Sequence, residues 1–210
     1  MKLYDYLDSG NGYKVRLTLA HLGLACEWTE CDILHGATRT PEFLARNPNG
    51  RIPLLELDDG TCLAESNAII WYLAEGSPLV PYERLARAQV LQWMFFEQYS
   101  HEPYVATPRY IVKHLPVGSP RRAELPDRLE RGRAAFTVME RHLTTRRFFV
   151  GERYTIADIS LYAYSHVAHE GGHDLAPFPH VRAWLDRVAD QPGHRPLTAR
   201  PVGKAPLATR

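Results

Sequence analysis

Apolar and polar positions change their period about one third of the way along the chain. Before that point the apolar residues fall in short runs bounded by turn formers, at Lys2 to Tyr6, Ala25 to Cys31, and Ile52, Leu54, Leu55 and Leu57. That is the pattern of short strands. Between the first two runs, Val15, Leu17, Leu19 and Leu22 predict a helix over about 13–22 with one buried face, stopped by Gly23. A short helix is expected near 41–45. Asp59-Gly60 predicts a hairpin that returns the chain beside the third run before a helix opens at Glu65-Ser66. Beyond residue 83 the spacing is helical throughout. Leu85, Ala88, Leu91, Phe95 and Tyr99 suggest one buried stripe, and Leu125, Leu129, Phe136, Met139 and Leu143 a second. Ile159, Ala163 and Val167 follow the capping-box-like Thr155-Ile156-Ala157-Asp158, and Val181, Trp184, Leu185 and Val188 mark a last helix.

This order predicts an α/β thioredoxin-like N-terminal domain over 1–76, a Pro-rich linker over 77–83, and an all-α C-terminal helical bundle over 84–210. Its tail beyond His194 should lie on the surface without regular structure. The 210 residues are enough for two cores. With 25 Lys and Arg against 24 Asp and Glu, the net charge of +1 offers no footprint for nucleic acid or an anionic membrane. The acidic start and the lack of a long apolar run argue against a signal peptide or a membrane span, so a cytoplasmic protein is expected. Cys26, Cys31 and Cys62 make no metal-type spacing and leave an odd count, so they are read as small buried hydrophobes in a reducing compartment.

The densest chemistry lies between Asn47 and Ile70. Pro53 stands at the mouth of an apolar strand, where a residue without an N–H is unusual, and a cis bond is the economical expectation. That geometry would free the peptide of Ile52 to pair with an extended, peptide-like ligand. Ser66 at a helix N-terminus suits a ligand carboxylate, and Glu65 suits an ammonium group; a plain helix cap is the alternative. The loop from Asp8 to Gly12 lies where ligands bind in open α/β sheets, at the end of the first strand. Ser9 and Asn11 there can donate hydrogen bonds to a thiolate and lower its pKa, or can form an ordinary turn and cap.

With these residues the sequence resembles the soluble glutathione S-transferase family, in the bacterial type with a Ser/Thr-x-Asn loop. The resemblance implies Ile52 and Pro53 beside the cysteinyl part of glutathione, Glu65 and Ser66 at its γ-glutamyl end, and Ser9 and Asn11 at the sulfur. Tyr6 is the rival for the last role. Arg39 and Arg51 are candidates for the glycyl carboxylate, with His35 weaker. Tyr104 and Thr107 are the candidates for the second-substrate pocket in the helical domain. The family also implies detoxification by attack of glutathione thiolate on an electrophile, glutathione as co-substrate, no metal, and a homodimer. A glutathione-dependent disulfide reductase or peroxidase, or a non-catalytic binding module of the same fold, are the alternatives.

One stretch outside this pattern, His169-Glu170-Gly171-Gly172-His173, matches a zinc-peptidase spacing. Two consecutive glycines disfavour the stable helix that such a site needs and predict a helix end instead.

Overall fold

The computed structural model describes residues 1–203 and divides into two compact units. Among these residues the first unit holds a four-stranded sheet in the order β2-β1-β3-β4, with β1 Lys2–Asp5, β2 Glu27–Glu30, β3 Leu54–Glu56 and β4 Cys62–Ala64. β1 and β2 are parallel, joined through helix α1, Gly10–Leu22; β3 pairs antiparallel with both β1 and β4. Helix α2, Pro41–Arg46, precedes β3, and α3, Ser66–Ala74, follows β4 and packs on α1. This is the expected thioredoxin-like arrangement. Its core is apolar and fully buried at Leu3, Val15, Leu17, Leu54, Leu55, Ile69 and Ile70.

Helix α1 departs from the expected single buried face. It begins at Gly10 rather than Tyr13, and Gly12 through Leu19 are all buried, including Lys14 and Arg16. The second face is covered by the C-terminal tail, which the sequence assigns to the helical domain but which packs in the first unit over residues 192–203. The Tyr13 hydroxyl donates to the carbonyl of Arg195 at 2.6 Å, and Arg16 donates to the carbonyls of Leu197 and Ala199. Through residue 203 the tail has no regular structure, as expected; residues 204–210 of that expectation lie outside the described residues.

The second unit is helical: α4 Arg84–Phe96, α5 Glu102–His114, α6 Leu125–Leu143, α7 Ile156–Ser165 and α8 Pro179–Ala189. A π-helical segment, Glu97–His101, carries α4 into α5. The predicted stripe on α4 is inverted. Leu85, Phe95 and Tyr99 are 71%, 69% and 84% exposed, whereas Val90, Trp93 and Met94 are buried. Both faces carry apolar residues at helical spacing, and α7 and the aromatic cluster of Phe149 and His142 select the face with Trp93. The α7 capping box is present, with the Asp158 carboxylate accepting from the Thr155 N–H at 2.9 Å, the Phe149 N–H at 3.1 Å and the Trp184 indole at 3.0 Å.

Candidate functional site

The sheet register brings the predicted residues to one end. Tyr4 is paired with Leu54 and Leu54 with Ala64. The C-terminal end of β1, Pro53 before β3 and Glu65 after β4 therefore emerge side by side. The Ile52–Pro53 peptide is cis, as the sequence predicts, and Pro53 is buried. Glu65 has φ 70°, ψ 114°, the one positive φ outside glycine among the described residues. Such a backbone costs about 1–3 kcal/mol and is characteristic of ligand clamps.

Ser9 is the N-cap of α1, its Oγ accepting from the Gly12 N–H at 3.2 Å. The capping role does not exclude the predicted one, because a hydroxyl that accepts through a lone pair keeps its proton to donate. Two residues on, the Asn11 Oδ1 accepts from the Ser66 hydroxyl at 3.2 Å. The loop after β1 and the N-terminus of α3 are thus joined by side chains. Lys14, to which the sequence pattern assigns no role, lies under the same pair with its Nζ 3.5 Å from Ser66 Oγ and is fully buried. The signal for it was available: Lys14 is one turn beyond Asn11 on the same helix face.

The loop is fixed from below by a buried ion pair. Arg16 Nε meets Asp5 Oδ2 at 2.8 Å, and Asp5 Oδ1 accepts from the Tyr6 N–H at 2.7 Å. Burial pushes the Asp5 carboxyl up to about 6, with Arg16 opposing the shift. Gly12 packs directly on this carboxylate, where a Cβ would lie 1.5 Å from Oδ1.

Arg39 and Arg51 come to a single turn. Asn47 Nδ2 donates to the carbonyl of Arg51 at 2.8 Å, and Asn47 Oδ1 accepts from the Asn49 N–H at 3.1 Å. Arg39 crosses Gly50, donating to the carbonyl of Asn49 at 3.3 Å, and both arginines are exposed just before Ile52. His35 is turned to Asp32 at 2.7 Å.

The cysteines have other surroundings. Cys31 packs with Phe43 and Leu54, and burial pushes its thiol up to about 11. Cys26 is buried too, whereas Cys62 is half-buried, less enclosed than expected, and its thiol is also raised by burial. Tyr104 and Thr107 lie on α5 in the second unit. The Tyr104 hydroxyl accepts from Arg131 at 3.3 Å and its carbonyl from His173 Nε2 at 2.8 Å. The zinc-like stretch is structural. Its glutamate is held by Arg109 at 2.8 Å and Lys113 at 3.1 Å, and Gly171 lies against the Arg109 backbone. Among the described residues no group of His, Cys, Asp and Glu could hold a metal ion, and no helix is long and apolar enough to cross a membrane.

Comparison with known proteins places this geometry among relatives. The family models for the glutathione S-transferase N-terminal and C-terminal domains match residues 1–75 and 93–192. A crystal structure of a glutathione S-transferase from Pseudomonas fluorescens is 53% identical, covers 94% of this chain and 98% of its own, and superposes with a TM-score of 0.92. Glutathione S-transferase 3 of Zea mays is 32% identical over 95% of this chain and 93% of its own. The glutathione transferase URE2P6 from Phanerochaete chrysosporium, 27% identical with a TM-score of 0.82 over 91% of each chain, was solved in complex with oxidised glutathione. The chain also resembles protein URE2 of Eremothecium gossypii and elongation factor 1-gamma-A of Xenopus laevis, each at 31% identity, but spans only 65% and 45% of their lengths.

Proposed function

The chain belongs to the glutathione S-transferase family, and from that premise we propose that it is an active glutathione transferase whose first unit binds and ionises glutathione. The observation that carries this reading is the 3.2 Å hydrogen bond between Ser66 and Asn11. It ties the residue assigned to the γ-glutamyl carboxylate to the one assigned to the sulfur, so the γ-glutamyl end and the central cysteine of one tripeptide are addressed by linked side chains. Ile52 and Pro53 pair with the cysteinyl backbone, Glu65 takes the ammonium, and Arg39 or Arg51 takes the glycyl carboxylate. Ser9 and Asn11 donate to the thiolate. The sulfur then attacks an electrophilic carbon, forming a C–S bond as the leaving group departs with its electron pair; the thiol proton has already gone to solvent.

The electrophile is ascribed to the helical unit, with Thr107 the better contact because Tyr104 is already tied to α6. A second copy of the chain covers the exposed Leu85, Phe95 and Tyr99, which gives a homodimer; the location is cytoplasmic and the role detoxification. A disulfide in place of the carbon electrophile is the nearest rival within the same chemistry. A non-catalytic binding module is favoured only by the likeness to URE2 and elongation factor 1-gamma.

The test is the ultraviolet absorbance of the thiolate of bound glutathione, titrated in the parent, Ser9→Ala and Asn11→Ala. The parent should hold the thiol below its ordinary value of about 8.5 and each variant should raise it. Ser66→Ala should raise the KM for glutathione roughly tenfold or more, as expected for a lost hydrogen bond to a charged group. A protein retained on immobilised glutathione with an unshifted thiol would be a binding module.

A further inference from the structure

Arg16 is 3% exposed and every one of its five N–H donors is directed at an acceptor. Nε donates to Asp5 at 2.8 Å, and Nη2 donates to the carbonyl of Leu7 at 2.7 Å and, more weakly, to that of Ser9 at 3.5 Å. Nη1 donates to the carbonyls of Leu197 at 2.5 Å and Ala199 at 2.8 Å. One planar cation therefore joins the end of β1, the loop that presents Ser9, and the C-terminal tail. The tail is held along its length by further contacts. Tyr13 donates to Arg195 and meets His194 Nε2 at 3.2 Å, His21 Nδ1 lies 3.0 Å from the Pro192 carbonyl, the Cys26 N–H donates to Val202 at 3.1 Å, and the Arg200 guanidinium stacks 4.7 Å over Trp28.

We propose that residues 192–199 are a working part of the glutathione-activating site, acting through Arg16, which is a positioning residue for the loop that carries Ser9. This rests on the assignment of Ser9 to the thiolate. The guanidinium has its donors in a fixed plane, so the carbonyls bound on one edge determine where the other edge points. Loss of the Leu197 and Ala199 carbonyls removes the acceptors that fix one edge of the guanidinium, and water entering in their place leaves its plane free to turn. The Leu7 carbonyl then loses its partner. The remaining loop contacts tie the Leu7 N–H to Glu30 at 3.1 Å, the Ser9 N–H to Tyr6 at 2.8 Å, and Ser9 to the head of α1 through the Tyr13 N–H at 2.9 Å and the Gly12 N–H at 3.2 Å; none of them reaches the Leu7 carbonyl, so the loop and the first turn of α1 move together. The Ser9 hydroxyl shifts relative to the sulfur, while Glu65 and Ser66, on another element, keep glutathione bound.

The experiment uses three full-length variants alongside the parent and Ser9→Ala. Leu197→Lys displaces the tail by placing a like charge beside Arg16. Arg16→Lys keeps the charge on Asp5 without the fork, and Tyr13→Phe removes only the hydroxyl that tethers Arg195. For each, circular dichroism checks folding, and the thiol pKa of bound glutathione and the pH profile of kcat/KM are measured. Leu197→Lys and Arg16→Lys should raise the thiol pKa by about half a unit, lowering kcat/KM about threefold on the acidic limb. KM for glutathione should change less than about twofold, and Tyr13→Phe should move the profile less in the same direction. If Ser9→Ala raises the thiol pKa but every folded tail or Arg16 variant keeps the parental profile, the tail only packs and the proposal is overturned. If Ser9→Ala itself leaves the profile unmoved, the assignment of Ser9 falls and this proposal with it. Should Leu197→Lys not fold, Tyr13→Phe and Arg16→Lys decide.

Discussion

Gly12→Ala is the single-atom test of how the Ser9 loop is held. A Cβ on Gly12 would lie 1.5 Å from Asp5 Oδ1, 2.2 Å from its Cγ and 2.5 Å from Oδ2. The carboxylate cannot rotate aside without cost, because Oδ1 is held by the Tyr6 N–H and Oδ2 by Arg16, and the residue is fully buried. Either α1 backs away, which is overpacking at about 1–3 kcal/mol, or the ion pair opens, which costs about 3–5 kcal/mol when one buried charge loses its partner. The overlap is too deep for a few tenths of an ångström to relieve, so the larger figure is expected. It is a substantial fraction of the roughly 5–15 kcal/mol that keeps a domain folded. Urea unfolding followed by circular dichroism measures the loss, with Gly118→Ala as the control, since no heavy atom lies within 4 Å of its would-be Cβ. A double-mutant cycle with Asp5→Ala should show strong non-additivity, because removing the carboxylate makes room for the methyl group. A Gly12→Ala protein within about 1 kcal/mol of the parent would refute this account of the loop.

Three further outcomes follow from the same geometry. A variant with Cys26, Cys31 and Cys62 all replaced by alanine or serine should keep its transferase kcat/KM if it folds, since Cys31 and Cys62 have thiols raised by burial and Cys26 is buried; lost activity in a folded variant would point to a protein thiol in the reaction. Asp158→Ala should lower stability by about 3 kcal/mol at neutral pH by orphaning the Phe149, Thr155 and Trp184 donors. Burial raises the Asp158 carboxyl to about 6, so its favourable term is complete below about 4 and lost as pH rises through 6. The slope of stability against pH in that window should accordingly be more positive in Asp158→Ala than in the parent, and identical slopes would exclude the assignment. Phe95→Glu, at an exposed position on α4, should convert the proposed homodimer to monomers in sedimentation experiments without loss of helix content, and a dimer that persists would overturn the proposed contact through this face.

The sequence by itself determined what depends on neighbours a few residues apart. Ser9 and Thr155 read as caps because a hydroxyl can reach an N–H two or three residues on, Asp59-Gly60 as a hairpin because glycine tolerates its φ of 86°, and Ile52-Pro53 as a special peptide because a strand needs its N–H groups. The order of strands and helices followed from period alone. Tertiary structure decided what period leaves open. Apolar residues occupy both faces of α4, and only packing against α7 and Phe149 distinguishes Trp93 from Phe95. Lys14 and Arg16 look like surface charge in the sequence, yet each is buried on α1, whose two faces are covered by α3 and by the tail. The tail has no period to read. Several of its contacts are backbone carbonyls, two of them meeting one guanidinium more than 180 positions away, and any residue supplies a carbonyl, so those contacts leave no trace in the identity of the residues that make them.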